Sequence, residues 1–290
     1  MGAPMLAAIA VALVMMAHAR AVRRLRSAYE GTMSEAFFMT DGDGFAAQVH
    51  STGPWSPDYV HAGPPCALLT RSLERSFPDD FQLTRISFEL LRPVGFAKLN
   101  IKAEVETEGA NVRRGTAVLE ADGKTLIRAQ AIAFRKVPVD VEVAEEAPPT
   151  LPEKLPPFTF PFFQVPVGYH TSMEGRFARG SMGTTPVAAW MRMKIPLLPG
   201  EKPSPFVRTV IAADSGNGVA HAVDFSRFTF INADLTVTLL RRPKGEWICL
   251  DAHTLATKDG VGFSDTRLWD EKGPIGRGCQ VLVVRPRTAP

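Results

Sequence analysis

Cysteine is scarce in this chain, and the three present, Cys66, Cys249 and Cys279, form no Cys-x-x-Cys pair. An odd, scattered set supports neither a disulfide framework nor a zinc site, and a reducing compartment is the simplest setting. A charge excess is missing too. The net charge is +3 and Lys and Arg are dispersed, which argues against nucleic acid as the main partner and leaves room for a small anionic ligand. A long apolar run is also lacking: Met5–Met16 falls short of the ~18–20 residues of a spanning helix. His18, Arg20, Arg23, Arg24 and Arg26 follow that run, and no basic residues precede it as they would in a secretory signal. Were it to insert, the arginines would keep the body of the protein on the cytoplasmic side. The reading adopted is an extension over residues 1–32 ahead of a cytoplasmic protein that begins at Met33, with membrane contact through residues 5–26 as the competing idea.

What the chain does contain is material for about two domains: 290 residues, 45% hydrophobic and 22% charged, an ordinary globular balance. From Phe37 the pattern reads as a strand that turns at Gly42 and Gly44. Pro54, Trp55 and Pro57 lie in a rigid loop, after which Pro64 and Pro65 open a helix that Pro78 closes. Cys66, Leu69, Leu73 and Phe77 recur at steps of three and four, giving that helix one stripe to bury. Four strand-like runs follow, Leu83–Leu91, Leu99–Glu106, Val112–Glu120 and Thr125–Phe134, with a hairpin signal at Asp122 and Gly123. A meander of this kind can curl around the helix and hide one of its faces.

Residues 137–166 turn Pro-rich and acidic and read as a semi-rigid linker laid along the surface. The plan then repeats. Met173–Phe177 and Val187–Ile195 read as strands, Ser204 and Pro205 cap a helix carrying Val207, Val210 and Ile211, and Gly216 and Gly218 end it. Strands follow at Thr229–Leu240, Trp247–Leu255, Val261–Leu268 and Gly278–Val284. The expected domains are therefore 33–136 and 167–290, joined by 137–166. Arg92 and Pro93 answer Arg242 and Pro243, Gln130 answers Gln280 and Arg135 answers Arg285, all at an offset of 150 residues, and Ala62 falls opposite Ala212.

Asp234, Thr254 and Gln280 fall in three separate strands of the second half, and the same offset sets Thr84 opposite Asp234 and Glu104 opposite Thr254. A carboxylate, a hydroxyl and a carboxamide on neighbouring strands can hold one water, the carboxylate taking its proton. Taken alone, the three are equally a strand-end residue, an ordinary β-former and a polar group on a sheet face. No Ser-His-Asp order, Gly-x-Ser-x-Gly elbow or Cys–His pairing competes with them. Trp55, Trp190, Trp247 and Trp269 read as core or sheet-edge residues, and Arg241, Arg242 and Lys244 as a solvated hairpin end.

Several of these stretches resemble the acyl-CoA thioesterase II type, the TesB-like double hotdog proteins, over about Ser34–Arg285. The residues that carry the resemblance are Gly53–Pro57 with His61–Pro65, then Ala213–Gly218, Ile231–Leu235, Arg242–Pro243, Gly245–Trp247 and Gly278–Gln280. It implies an α+β fold, a tandem hotdog in which two curved antiparallel sheets each wrap a central helix. It further implies an acyl-CoA hydrolase without metal or redox cofactor; a homo-oligomer is compatible with the sequence. The family's water-orienting Asp, Thr and Gln map onto Asp234, Thr254 and Gln280, and its substrate-binding turn onto His61, Ala62 and Gly63. Asp214 is the rival carboxylate. It stands near the C-terminus of its helix, where the dipole disfavours a negative charge, so it also reads as a polar handle on the glycine turn. Hydratases of this fold resemble one another in an Asp-x4-His pair here, and Val219 stands where that His would be. A binding module that keeps the fold without catalysis is the alternative function.

Overall fold

The structure, a computed structural model, describes residues 35–142 and 145–287; the expectations for residues 1–32 lie outside the described residues. Among the described residues no helix is long and apolar enough to cross a membrane. In the first half β1 (Phe38–Asp41), β2 (Gly44–Ala47), α1 (Gly63–Ser76), β3 (Phe81–Leu90), β4 (Lys98–Glu108), β5 (Val112–Ala121) and β6 (Lys124–Arg135) follow the expected order. Then come β7 (Pro157–Phe158), α2 (Tyr169–Ser172), β8 (Met173–Arg179), β9 (Val187–Met193), α3 (Pro205–Ala213) and α4 (Gly216–Val219). Five strands close the chain: β10 (Phe228–Asn232) and β11 (Asp234–Leu239), then β12 (Ile248–Ala256), β13 (Val261–Asp270) and β14 (Gly273–Pro286) are connected in turn.

Where two separate sheets are expected, one continuous sheet forms, in the order β1-β2-β4-β5-β6-β3-β11-β14-β13-β12-β9-β8-β7 with β10 on β14. The join is antiparallel, β3 to β11, with Asp234 opposite Glu89 and Thr238 opposite Arg85. Each strand would otherwise be an edge with unpaired amides, and pairing them removes both edges.

The apolar stripe of α1 is buried as its spacing predicts, with Cys66, Leu69 and Leu73 fully inaccessible. Burial of such side chains is worth about 1.5–3 kcal/mol for each large one. Ser204 caps α3, its Oγ accepting the Val207 N–H at 3.1 Å, and Pro205 takes the first helical position, where no N–H is needed. The two helices run antiparallel. Arg71 on α1 grips Glu201 ahead of α3 through bonds of 2.7 and 2.8 Å, and the Ser204 hydroxyl donates to Glu74 near the end of α1. At the other end Gly63 permits close approach: a Cβ there would lie 2.8 Å from the Ile211 carbonyl oxygen. The N-terminus of α1 thus abuts the C-terminus of α3.

The repeat is real in strand order but its register is not the one read from residue identities. Gln130 lies opposite Thr116 and Thr116 opposite Glu104, just as Gln280, Ser264 and Thr254 line up across β14, β13 and β12. The faces differ, however: Gln130 and Glu104 are exposed, whereas Gln280, Ser264 and Thr254 are buried. Side chains alternate with period two, so a slip of one residue sends a whole row to the other face. The helix-facing positions beside Gln130 are Ala129 and Ala131. Ala62 and Ala212 do not correspond either, since Ala62 caps the start of α1 and Ala212 lies in the last turn of α3.

Only the first part of the expected surface linker stays on the surface. Beyond it, Trp190 Nε1 donates to the Thr150 carbonyl at 2.8 Å, Phe158 in β7 pairs with Gly175, and Phe160 and Val165 are buried. A run of aromatic residues between prolines has apolar area to bury, and it buries it here.

Candidate active site

The strand expected over Thr229–Leu240 breaks at Ala233, and the break decides which side chains reach the interior. Phe230 and Asn232 line the cavity described below from β10, while Leu235, Val237 and Leu239 are the buried residues of β11. Two inward positions three residues apart, Asn232 and Leu235, require one extra residue between them, a bulge. Asp234 is thereby turned outward. Its Oδ1 accepts the Val281 N–H at 2.6 Å, supplying the bond that the interrupted ladder leaves open, and its carboxylate does not enter the cavity described below.

The carboxylate that does enter is Asp214, 3% exposed, at the end of α3. Its Oδ2 lies 2.9 Å from His61 Nδ1 and its Oδ1 accepts from Asn232 Nδ2 at 2.6 Å. His61 Nδ1 is also 3.2 Å from the Gly63 amide nitrogen. That nitrogen cannot donate to Asp214 and accept from Gly63 at once, and the shorter, charge-assisted bond to Asp214 takes precedence. The ring of His61 stacks on Tyr169 with centroids 3.8 Å apart and planes 5° apart. The Tyr169 hydroxyl donates to the Ile211 carbonyl and accepts from Ser215, both at 2.8 Å. Burial pushes the pKa of this phenol well up, so it holds His61 and the end of α3 as a neutral group.

The dipole objection to Asp214 applies to its own helix only. Asp214 Cβ is 3.4 Å from where a Cβ on Gly63 would stand, so the carboxylate sits beside the positive end of α1. His61, Ala62 and Gly63 are brought to the same place.

Thr254 and Gln280 lie beneath this cluster, on the inner face of the sheet. Gln280 Nε2 donates to the Asp214 carbonyl and its Oε1 accepts the Asn217 N–H, both at 3.1 Å. Thr254 Oγ1 donates to Ser264 Oγ at 3.0 Å and its N–H donates to Thr185 at 2.9 Å. Ser264 and Thr266, which carry no signal in the sequence beyond strand alternation, complete this polar floor. The floor seats α4: a Cβ on Gly216 would be 2.6 Å from Thr266 Oγ1 and 3.1 Å from Gln280 Oε1. Of the three residues expected to share one water, the structure brings Gln280 to Asp214, leaves Thr254 on Ser264 and turns Asp234 away. Gln280→Ala would orphan a buried carbonyl and a buried amide, at about 1–3 kcal/mol for each. A chemical denaturation midpoint should fall accordingly, and Gln280→Glu, which keeps the acceptor for Asn217 but turns a carboxylate oxygen onto the Asp214 carbonyl, should fall at least as far.

Above the cluster lies a cavity of about 350 Å³ between the two halves. Asp214, His61 and Asn232 are at its polar end, and Leu90, Ile127 and Phe230 are among its apolar walls. Trp55 lines it as well, unlike Trp190, Trp247 and Trp269, which form a separate buried cluster. Arg92 is the one Arg or Lys among its lining residues. The expected hairpin cations divide: Arg241 is held by Asp270, while Arg242 and Lys244 are not in the cavity wall.

Comparison with known proteins follows the same two halves. Residues 51–134 match the acyl-CoA thioesterase N-terminal domain and residues 146–284 the acyl-CoA thioesterase C-terminal domain. No curated protein sequence matches. Among solved structures, a hot dog fold protein of unknown function from Alicyclobacillus acidocaldarius is 17% identical with a TM-score of 0.66, covering 87% of this chain and 96% of that one. The tesB protein of Mycobacterium avium subs paratuberculosis is 14% identical, TM-score 0.64, covering 86% and 96%. The acyl-CoA thioesterase II TesB2 of Mycobacterium marinum is 13% identical, TM-score 0.61, covering 86% and 95%. At these identities the likeness establishes a hotdog fold.

Proposed function

The chain belongs to the acyl-CoA thioesterase family, and from that membership we propose a tandem of two hotdog units that hydrolyses acyl-CoA to free acid and CoA at the Asp214 cavity. The observation that carries this reading is a buried carboxylate, bonded to His61 and Asn232, at the polar end of a largely apolar cavity.

Both Asp214 oxygens keep a lone pair after their bonds to His61 and Asn232, so a water can rest against them. Asp214 takes a proton from that water as its oxygen adds to the thioester carbonyl carbon. Charge then develops on the carbonyl oxygen. Pro64 and Pro65 have no N–H, so the donors at the positive end of α1 reduce to the amides of Ala62 and Gly63, with the helix dipole behind them. Collapse of the tetrahedral species breaks the carbon–sulfur bond, and the proton held by Asp214 returns to the departing thiolate. Asn232 orients the carboxylate and the water, His61 fixes the other carboxylate oxygen, and Gln280 is a positioning residue that acts through the Asp214 backbone. Arg92 at the cavity edge offers a cation to the phosphates of CoA.

Cys66 does not compete as a nucleophile: it is fully buried outside the cavity wall, and burial, with Asp214 second, pushes its thiol pKa well above the usual range. The test is thiol release from a panel of acyl-CoAs by the full chain. Steady release supports the hydrolase. Binding of acyl-CoA that leaves every thioester intact is the result of the binding-module alternative.

A further inference from the structure

The cavity has a third wall, supplied by the stretch that leads into α2. Phe160, Phe162 and Phe163, from the stretch expected to be a plain linker, line it. Pro157, Pro161 and Pro166 punctuate this stretch, fixing their own backbone angles and biasing the residues before them toward extended forms. It is anchored at both ends. At one, Phe158 pairs with Gly175 and stacks on Phe177 at 4.2 Å; at the other, the Tyr169 N–H donates to the Thr52 carbonyl at 3.0 Å. Between the anchors Phe160 stands edge-on to Phe158 at 5.4 Å, with a ring carbon 3.7 Å from where a Cβ on Gly218 would lie. Phe162 stacks on Phe225 at 4.5 Å and Phe163 on His170 at 4.3 Å. A segment tied down in this way behaves as a fixed wall.

We propose that this aromatic strap sets the size of the acyl group, so that the site takes compact acyl chains of medium length and rejects long straight ones, with Phe160 and Phe162 as the specificity-determining residues. The proposal rests on the thioesterase reading above. A cavity of about 350 Å³ stands at the low end of the roughly 300–1,000 Å³ usual for small-ligand sites. The attacking water and the thioester take part of that space, which leaves little for a long chain. Room for a longer chain has to come from a wall, and the strap is the wall made of side chains that can be shortened without touching Asp214, His61 or Asn232.

The experiment measures thiol release by the full chain from straight-chain acyl-CoAs running from acetyl to palmitoyl, for the natural protein and for Phe160→Ala and Phe162→Ala. The natural protein should peak at medium length. Each variant should gain about tenfold or more in kcat/KM for palmitoyl-CoA relative to hexanoyl-CoA, chiefly through KM, since about one methylene of fit in an apolar pocket is worth at least that much. If an alanine variant fails to fold, Phe160→Leu and Phe162→Leu shorten the same wall while keeping apolar bulk and carry the same expectation. A natural protein that hydrolyses palmitoyl-CoA as well as hexanoyl-CoA, or folded variants with an unchanged profile, would overturn the proposal. Should no acyl-CoA be hydrolysed, the hydrolase reading has failed and the same panel is read by calorimetric binding. A chain-length optimum that shifts in the variants then upholds the strap, and a flat or unshifted profile rejects it.

Discussion

Asp214→Asn is expected to lower kcat for acyl-CoA hydrolysis by about 10²–10⁴, the span over which a positioned general base contributes, while KM changes little. Asparagine keeps an oxygen that can bond to Asn232 or the water but cannot take a proton, so the loss belongs to the transition state more than to binding. Asp234→Asn is the matched control. Its Oδ1 accepts the Val281 N–H on the outer side of the sheet, an acceptor that asparagine retains, so activity should stay within about threefold and stability within ~0.5 kcal/mol. Steady-state kinetics of the two variants, with melting curves beside them, decide between the carboxylates. Loss of activity in Asp234→Asn with Asp214→Asn near the natural rate would return the water to the strand residue.

The two carboxylates also mark how far the sequence could be read. Periodicity gave α1 and its buried stripe, proline and glycine placed the turns, and the pairing of β5 with β6 followed from Asp122 and Gly123. All of these are local signals. Alternation alone sets Asp234 on the inner face, because a bulge at Ala233 leaves no trace in a run that alternates well enough on either side of it, yet it exchanges the two faces of everything beyond. Gln130 matches Gln280 in identity but not in facing for a related reason: identity at a fixed offset ignores the period of two that assigns side chains to faces. In the sequence Asp214 meets only the dipole of its own helix, and the antiparallel packing of α1 on α3, which no residue spacing encodes, brings an opposing pole to it. Gln280 was legible as a functional neighbour but not as a partner of the Asp214 backbone. The family resemblance supplied residue types for a site; the fold supplied which residues meet.

Asp270→Ala is expected to be the most destabilising single change away from the cavity, by about 3 kcal/mol. Asp270 is fully buried at the end of β13 and accepts from both Arg241 guanidinium nitrogens at 2.6 and 2.7 Å, from the Lys244 N–H at 2.7 Å and from the Lys272 N–H at 2.8 Å. It therefore ties the β11–β12 connection to the β13–β14 turn, and its removal strands two amides and a guanidinium. Arg241 is 34% exposed and recovers part of its loss in water, which keeps the figure at the low end for a broken buried pair. In a chain of this size about 3 kcal/mol corresponds to a Tm lower by roughly 6–12 °C. Burial alone would raise the Asp270 pKa, but Arg241 and the two amides outweigh it and the folded value lies below the ordinary one. The stabilisation tied to ionisation is therefore complete above the unfolded pKa of about 3.9 and is lost as pH falls through the lower folded value. The Tm gap between the natural protein and Asp270→Ala should be constant near neutral pH and narrow below about pH 4. A gap that stays the same down to pH 3 would mean that the charge of Asp270 is not what holds this corner. Asp265→Ala provides the comparison, since its pair with Arg277 is comparably short at 2.6 Å but exposed on both sides. That variant should shift stability by no more than about 1 kcal/mol.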